Sequence, residues 1–430
     1  TKIGEETFLA GVMRLVREAQ ASKSKLQMLS DRAAFYLTVV AVVGGLITLV
    51  VWLAIGSAPT AFTRAVAVLV IACPHALGLA IPLVASISTT MAARSGFLVK
   101  QRLTLEAARN VDAVLFDKTG TLTKGEYGVM GMQVAQRGNE DDVLRLAAAV
   151  DAKSEHVIAR AIVRESEKRN LVLPAVSDFQ RLPGKGVAGT VDEKHVTAGG
   201  RAILEGAAVS HDIEKWARDH GEAGKTIIYV LEGKSVLGAI ALGDVIRDES
   251  REAVERLRKQ GVEVAMITGD AEGVARWVAR ELGIETVFAQ VLPEHKVDKV
   301  KELQAKGKKV AMVGDGINDA PALTQADVGI AIGAGTNVAI ESAGIILVRN
   351  DPRDIPAVIT LSRLTYSKML QNLFWATGYN VVALPLAAGV LSAWGVVLNP
   401  AVSAIFMSLS TVIVAVNAVL LRRVSLQNSP

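Results

Sequence analysis

Four long apolar runs limit what this chain can fold into more than any other feature of its sequence. They occupy residues 33–55, 65–91, 373–391 and 396–421. Each reaches the roughly 20 residues that an α-helix needs to cross a bilayer. Because lipid offers the backbone no hydrogen bonds, such runs are expected to be helical. A buried helix of a soluble domain is the alternative for one run, and four runs argue against it.

The distribution of basic residues orients these runs. Residues 92–372 form a long charged segment, and most lysines and arginines near the apolar runs lie on its side: Lys23, Lys25, Arg32, Arg94, Lys100, Arg102, Arg363, Lys368, Arg422 and Arg423. Since basic residues favour the cytoplasmic side, we predict a multi-pass protein of the cell membrane with a large cytoplasmic part. Arg64 is the exception. The basic residues beside the apolar runs account for the net charge of +4, so no nucleic-acid partner is predicted.

The run Val-Leu-Phe-Asp-Lys-Thr-Gly-Thr-Leu-Thr over 114–123 brings a carboxylate, Asp117, to the end of an apolar strand. Open α/β sheets place reactive groups at this end of a strand. A carboxylate there can attack a phosphoryl group and carry it covalently. A buried strand that simply ends in a turn aspartate is the alternative, because the shorter pattern Asp-x-Thr-Gly is common in such turns.

Strands and helices alternate after residue 243, which predicts a parallel, doubly wound sheet. Strands are expected at 262–267, 309–313, 328–332 and 345–348, and helices at 248–260, 272–282 and 296–306. The strand ends would gather Thr268, Asp270, Asp315 and Asp319 around Asp117.

Clustered carboxylates repel one another unless a cation neutralises them, and Mg²⁺ suits oxygen ligands and phosphates. Asp117 and Asp315 are the predicted ligands, with the carbonyl of Thr119 as a third. Lys296 would steady the charge of a transferred phosphoryl group. The alternative for Lys296 is an ordinary lysine on a helix surface.

Residues 125–243 interrupt the alternation and predict an inserted domain. Ser154-Glu155-His156 begins a helical stretch, and Pro183-Gly184-Lys185-Gly186-Val187 is a turn through which backbone can approach a base or phosphate. A structural histidine and a plain hairpin are the alternatives for the two motifs taken singly.

Cys73-Pro74-His75 lies inside the second apolar run. A proline inside a spanning helix breaks the hydrogen-bond ladder, and polar residues at this depth are costly and usually functional. Thiolate and imidazole ligands favour copper or zinc over hard cations. The alternative is a kinked helix with a buried Cys and His.

Together these motifs resemble the heavy-metal-transporting P-type ATPases, in the copper-exporting subgroup that carries Cys-Pro-His. The resemblance implies an α-helical transmembrane bundle plus a cytoplasmic α/β haloacid-dehalogenase-like phosphorylation domain with an inserted α+β nucleotide-binding domain. It implies ATP and Mg²⁺ as cofactors, a copper ion as transported substrate and a copper chaperone as a candidate partner. Ag(I) is expected as a further substrate, and the choice between Cu(I) and Cu(II) stays open.

The resemblance also assigns residues. The catalytic set is Asp117, Lys118, Thr119, Thr268, Gly269, Asp270, Lys296 and Asp319. The nucleotide set is Glu155, His156, Gly184 and Gly186, and the transported ion is assigned Cys73, His75 and Met407, with Tyr379, Asn380 and Ser410 as further candidates. Asp244 and Arg247 match the hinge back into the phosphorylation domain. Two positions depart from the family: Val157 replaces its proline, and Gly199-Gly200 replaces its Gly-Asn.

The domain boundaries implied by the resemblance follow in chain order. They are a linker helix at 1–31, a transmembrane hairpin with the metal site at 32–95, the phosphorylation domain at 96–124 and 244–368, the nucleotide-binding domain at 125–243, a second transmembrane hairpin at 369–422 and a tail at 423–430. The family's actuator domain and its Thr-Gly-Glu loop have no counterpart here. We therefore expect a fragment of a longer pump, joined to its actuator through an amphipathic helix at 5–27.

Four other functions compete with copper export. A soluble phosphatase of the haloacid dehalogenase group fits the sheet but not the apolar runs. A pump for Zn²⁺, Cd²⁺ or Co²⁺ would gain from a carboxylate in the last two spans, and none is there. A potassium-pump subunit lacks Cys-Pro-His. A non-pumping, metal-binding membrane subunit is expected only if the chain is naturally this short.

Overall fold

The structure is a computed structural model that describes residues 24–136, 138–315, 318–333, 341–424 and 426. Most of the helix predicted at 5–27 lies outside these residues. The helices are α1 Lys25–Ile55, α2 Ala58–Ile71, α3 His75–Arg94, α4 Arg102–Ala108, α5 Glu140–Asp151, α6 Val157–Lys168, α7 His211–Glu222, α8 Asp248–Lys259, α9 Glu272–Leu282, α10 Lys296–Ala305, α11 Ala320–Gln325, α12 Asp354–Ala388 and α13 Pro400–Leu420.

The strands fall into two sheets. They are β1 Phe97–Val99, β2 Ala113–Asp117, β3 Thr123–Val134, β4 Val176–Leu182, β5 Gly186–Val191, β6 Lys194–Gly199, β7 Thr226–Glu232, β8 Ser235–Ile246, β9 Glu263–Ile267, β10 Thr286–Phe288, β11 Val310–Gly314, β12 Val328–Ile332 and β13 Ile345–Leu347.

Helices α1, α2, α3, α12 and α13 pack together and form the apolar part of the molecule. In the described part, three helical segments are long and apolar enough to cross a membrane: Lys25–Ile55, Ala58–Arg94 and Pro400–Arg423. The predicted run at 373–391 falls mainly in α12, which is not among the three because polar side chains such as Asn372 and Asn380 interrupt it.

The two prolines of the second apolar run behave differently. Helix α2 ends at Ile71 and α3 begins at His75, so the chain breaks at Pro74 as predicted. Pro82 instead lies inside α3, which continues to Arg94. A spanning helix can continue through such a proline, because neighbouring helices and side chains satisfy the freed backbone groups.

A seven-stranded sheet carries the predicted doubly wound topology, in the order β1-β13-β12-β11-β2-β9-β10. All neighbours are parallel except β1, which pairs antiparallel with β13. Strand β2 is central, between β11 and β9. The observed strands and helices agree with the predicted ones to within one or two residues at each end, and apolar clusters cover both faces of the sheet.

A six-stranded antiparallel sheet forms the inserted part, in the order β3-β8-β7-β6-β5-β4. Helices α5 and α6 pack on one face through a core that includes Leu144 and Ile162, and α7 packs through a second core around Ile213. Strands β3 and β8 pair with each other and lead directly back to the seven-stranded sheet. The insertion therefore joins the sheet through two adjacent strands.

The seven-stranded sheet is joined to the membrane helices by a short connection. Helix α3 runs into β1 through Gly96, and β13 leads into α12. The guanidinium of Arg349 donates to the carbonyl of Ser95 (2.6 Å) and to Asp354 (2.8 Å). A Cβ on Gly96 would crowd that guanidinium, so the end of α3 and the start of α12 are tied at one point.

Candidate functional site

Asp117 is the last residue of the central strand β2 and is buried. Its neighbours at the carboxyl edge of the sheet are Thr268, which follows β9, and Asp315, which follows β11. The hydroxyl of Thr268 accepts a hydrogen bond from the N–H of Asp270 (3.1 Å) and holds that turn. The parallel topology thus brings the predicted residues to one edge.

Lys296 joins two carboxylates in this site. It is the first residue of α10, is buried, and places Nζ 2.6 Å from Oδ1 of Asp117 and 2.6 Å from Oδ1 of Asp319. Lys296 is therefore not an exposed lysine on a helix surface, which was the alternative that the sequence allowed.

The site carries more negative than positive charge. Burial and, after it, the charge of Asp319 raise the pKa of Asp117 to about 7, because Lys296 opposes them only in part. Burial also raises the pKa of Asp319. Burial lowers the pKa of Lys296, but the two carboxylates outweigh that effect and hold it above its usual value. One ammonium therefore serves two buried carboxylates.

This arrangement fits a divalent cation with oxygen ligands. Asp315 adds a third negative charge next to Asp117 and Asp319, and Oδ2 of Asp319 is buried with no hydrogen-bond partner among the described residues. Hard oxygen donors of this kind suit Mg²⁺. Within the described ranges no three His, Cys, Asp or Glu side chains converge as a metal group.

Lys118 lies beside the same edge in a second charged network. Its Nζ is 2.6 Å from Oδ2 of Asp270 and 3.0 Å from Oδ2 of Asp244. The Thr123 hydroxyl also donates to Asp244 (2.6 Å). Burial lowers the pKa of Lys118, but the hydrogen bonds and charges of Asp270 and Asp244 raise it above its usual value overall. Sequence reasoning assigned Asp244 to a hinge and missed this pairing.

Arg247 fixes the loop that follows Asp117. Its Nε donates to the carbonyl of Thr123 (3.0 Å) and its Nη2 to that of Gly120 (3.1 Å). Gly120 has a φ of +74°, which favours glycine at this tight turn. Arg247, which the sequence analysis assigned to a hinge, therefore holds the loop over residues 118–123 in place. Thr119, at the tip of this loop, is exposed.

Gly314 is a site residue that the sequence analysis did not single out. It ends β11, and a Cβ at this position would collide with the carboxylate of Asp319. Any side chain here would displace Asp319 from Lys296. The signal in the sequence was the glycine directly after an apolar strand, where backbone and side chain must approach closely.

The glycine-rich turn of the insertion packs against a second pair of glycines. The N–H of Gly200 donates to the carbonyl of Lys185 (2.9 Å). A Cβ on Gly186 would collide with the backbone of Ala198, and one on Gly199 with the carbonyl of Lys185. A pocket of about 670 Å³ beside this turn is lined by Lys185, Arg201 and Tyr229, among others.

His156 and its neighbour Glu155 are exposed at the start of α6. Nδ1 of His156 accepts a hydrogen bond from the N–H of Ile158 (3.3 Å), so this side chain caps the helix. Val157, where the family has proline, is the first helical residue and is exposed. A proline is favoured at that position and is not required there, so the departure is compatible with the fold.

Cys73 and His75 flank the break between α2 and α3, and both are exposed. The hydroxyl of Tyr379, on α12, donates to the carbonyl of Ile71 (3.3 Å) at the end of α2. The structure thus brings Tyr379 to the broken helix.

The other ion-site candidates lie on α12 and α13. Asn380 is buried, and its Oδ1 has no hydrogen-bond partner among the described residues. The hydroxyl of Ser410 donates to the carbonyl of Trp375 (3.4 Å) and so joins the two helices. Met407 lies one turn before Ser410 and is half-buried. Its place in an ion site stays a prediction.

A chain of hydrogen bonds that the sequence did not predict links three of these helices. Lys368 donates to Oδ1 of Asn417 (2.8 Å), Asn417 donates to Oδ1 of Asn372 (2.7 Å), and Asn372 donates to the carbonyl of Ala80 (3.0 Å). Ala80 lies on α3, near its proline. These bonds hold α3, α12 and α13 in one relative arrangement.

The chain resembles known proteins in sequence and in architecture. Residues 111–327 match the family of haloacid dehalogenase-like hydrolases. The chain is similar to a copper-exporting P-type ATPase B of Archaeoglobus fulgidus, with 55% identity over 98% of this chain and 61% of that protein. It is 41% identical to a copper-exporting P-type ATPase B of Enterococcus hirae, over 98% of this chain and 57% of the relative.

A solved structure of similar architecture is that of a zinc-transporting PIB-type ATPase in its E2.Pi state. It has a TM-score of 0.77 and 31% sequence identity, over 98% of this chain and 68% of that one. The chain thus spans about three fifths of the length of the curated relatives it matches.

Proposed function

Because the chain belongs to the PIB-type ATPases, we propose that it is the phosphorylated and ion-binding part of an ATP-driven copper exporter. It is a membrane protein whose large α/β part is cytoplasmic. In the proposed reaction a carboxylate oxygen of Asp117 bonds to the γ-phosphorus of ATP while the bond to the bridging oxygen breaks, and ADP leaves. The aspartyl phosphate is then coupled to ion movement past Cys73 and His75.

One observation carries the phosphorylation proposal: the buried carboxylate of Asp117 lies 2.6 Å from the ammonium of Lys296 at the carboxyl edge of a parallel sheet. Preorganised positive charge at the reacting group lowers the barrier for phosphoryl transfer. Lys296 contacts Oδ1, so Oδ2 is the oxygen that would attack. Lys118, held between Asp244 and Asp270, is a second cation for the phosphate oxygens.

Mg²⁺ is supported by the excess of buried carboxylate at this edge. Asp117, Asp315 and the carbonyl of Thr119 would hold it, and Asp319 would orient Lys296. A bound Mg²⁺ neutralises charge on phosphate oxygens. In the insertion, the turn at Gly184 and Gly186 and the exposed pair Glu155 and His156 are the proposed contacts to the nucleotide.

Copper is favoured over a divalent metal by ligand chemistry. Cys73 and His75 are accessible beside Tyr379, and soft thiolate and imidazole groups suit copper. Met407, Asn380 and Ser410 are the proposed further ligands, and a copper chaperone is the proposed source of the ion. The relatives named as copper exporters support this choice. The zinc-transporting neighbour shares the architecture, which does not favour a zinc pump over a copper pump.

Phosphate transfer from γ-labelled ATP tests the first step. The 430-residue chain should take up acid-stable label with Mg²⁺, and Asp117→Asn should remove it because an amide is a poor nucleophile. Asp178→Asn, a change on an exposed strand of the insertion, is the matched control and should label like the parent. Undiminished label in Asp117→Asn would sink the assignment.

Metal binding tests the second step. Cys73→Ser should abolish binding of Cu(I) and Ag(I), whereas His195→Ala, an exposed histidine of the insertion, should leave it unchanged. His75→Cys should keep Cu(I) and lose any Cu(II) response, because two thiolates favour the monovalent ion. X-ray absorption with no sulfur neighbour to copper, or tighter binding of Zn(II) than Cu(I), would count against a copper exporter.

A further inference from the structure

A pocket of about 370 Å³ opens beside the end of α3, where the chain beyond α13 comes close to it. Arg94 lines it from α3 and Arg422 from the turn that follows α13. Ile87 and Met91 form its apolar wall on α3, and Val424 and Leu426 line the other side. Thr90 and Ser95 add hydroxyl groups to the lining. Residues that are far apart in sequence therefore build one cleft in which two arginines and two hydroxyl side chains lie beside apolar side chains.

Among the described residues, Arg94 and Arg422 have no acidic partner. Both are exposed, and neither guanidinium has an acceptor among the described residues. No acidic side chain is among the described residues that line the pocket. Most other arginines near the sheet behave differently: Arg349, for example, pairs with Asp354. Two permanent cations that face one cleft create a site for an anion.

The position of the pocket identifies the kind of anion. Two of the three segments that can cross a membrane end at its rim, one at Arg94 and the other at Arg423. Ile87 lies two turns deeper along α3 than Arg94. The pocket thus lies where a lipid's polar headgroup meets its acyl chains, and basic pockets between spanning helices bind anionic headgroups there.

We propose that Arg94 and Arg422 bind the phosphate of an anionic phospholipid, with Met91 and Ile87 in contact with the start of its acyl chains. Free phosphate shares the headgroup chemistry but makes no use of the apolar side chains that share the cleft with the arginines. The position of the pocket at the ends of two spanning segments therefore favours the lipid.

This lipid would bind between the end of α3 and the segment that follows α13. The carbonyl of Leu426 accepts a hydrogen bond from Arg256 on α8 (3.1 Å), and its side chain is buried in the core under the seven-stranded sheet. A phosphate held by both arginines would tie the end of α3 to this C-terminal segment, at the boundary between membrane and sheet.

Native mass spectrometry of the purified 430-residue chain in detergent tests the site. Phosphatidylglycerol should be retained at one per chain, and phosphatidylcholine of the same acyl length should bind at least tenfold more weakly. Arg94→Gln with Arg422→Gln should lose the preference for the anionic lipid, and the Arg→Lys pair should keep most of it. Arg160→Gln with Arg181→Gln, exposed arginines of the insertion, is the matched control.

Three results would overturn the proposal. They are equal retention of the two lipids, an unchanged preference in the Arg94→Gln/Arg422→Gln variant, and displacement of the lipid by an equal concentration of inorganic phosphate, which would indicate a free-phosphate site. Phosphate labelling of Asp117 in each variant reports that the cytoplasmic part is folded. Since that labelling does not involve the pocket, failure of the lipid proposal is distinguishable from failure of the proposed function.

Discussion

The ammonium of Lys296 lies 2.6 Å from Oδ1 of Asp117, although 179 positions separate the two residues in the chain. The contact depends on the crossover from β9 through β10 to α10, which returns the chain to the edge where β2 ends. It gives the proposed nucleophile a fixed cation before any nucleotide arrives.

Lys296→Met should slow phosphoenzyme formation by about 100-fold, as removal of a preorganised charge at a reacting centre typically does. The methionine is one atom shorter than the lysine and uncharged, so it leaves Asp117 and Asp319 facing each other without a cation. Rapid-quench labelling with γ-labelled ATP measures the rate. Lys301→Met, an exposed position on the same helix, should label at the parental rate, and equal rates for the two variants would refute a role for Lys296.

Arg247→Gln should lower the labelling rate about tenfold and leave nucleotide affinity unchanged. The glutamine cannot hold the carbonyls of Gly120 and Thr123 together, so the loop after Asp117 loses its clamp. Labelling rates and calorimetric nucleotide affinity are measured on one preparation. Arg251→Gln, an exposed residue of α8, serves as control. A parallel loss of nucleotide affinity would show that Arg247 acts on the insertion and not on the loop.

Gly186→Ala should disrupt the glycine turn far more than Gly184→Ala does. Both glycines have positive φ, but only Gly186 has backbone within reach of an added Cβ. Gly184→Ala should cost about 1 kcal/mol through its left-handed conformation. Gly186→Ala should cost more and abolish nucleotide binding. Thermal unfolding and calorimetry report the two effects, and similar costs for both variants would mean that the turn can relax.

Asp151 should make the insertion less stable as the pH rises. It ends α5, and burial raises its pKa from 3.8 to about 7. Between these values the folded chain holds a proton that the unfolded chain has released, so this contribution to the free energy of unfolding is largest at low pH and falls up to pH 7. Asp151→Asn should therefore stabilise by on the order of 2 kcal/mol at pH 8 and be neutral near pH 4.

Unfolding transitions of the chain at the two pH values measure this difference. Asp178→Asn, a change at an exposed carboxylate of the same insertion, should show no dependence of this kind. A stabilisation by Asp151→Asn that is the same at both pH values would indicate better packing of the amide and not relief of a buried charge.

The sequence was sufficient to predict the sheet and its reactive edge. Short apolar strands alternate with amphipathic helices there, and parallel strands place their carboxyl ends together. That reasoning located Asp117, Thr268 and Asp315 on the same edge. That reasoning could not show which lysine pairs with which carboxylate. The pairing depends on how far each side chain extends between strands that are distant in the sequence. The pairing of Lys118 with Asp244 and the contact of Gly314 with Asp319 were missed for this reason.

The membrane part was predictable as helices but not as a site. The apolar runs predicted the approximate lengths of the helices, and Pro74 predicted the break between α2 and α3. The bonds from Lys368 through Asn417 and Asn372 to Ala80 depend on how helices face one another. Hydropathy carries no information about helix rotation, so the sequence analysis did not predict this network.

The connection between α3 and α12 has a mechanical consequence. Strands β1 and β13 pair over three residues, from Phe97 opposite Leu347 to Val99 opposite Ile345, and Arg349 ties the adjoining helix ends. The two helices cannot slide lengthwise past each other unless this ladder breaks. A tilt of the sheet therefore moves both helices by the same rotation. Helix α3, which follows Cys73, and helix α12, which bears Tyr379, turn together.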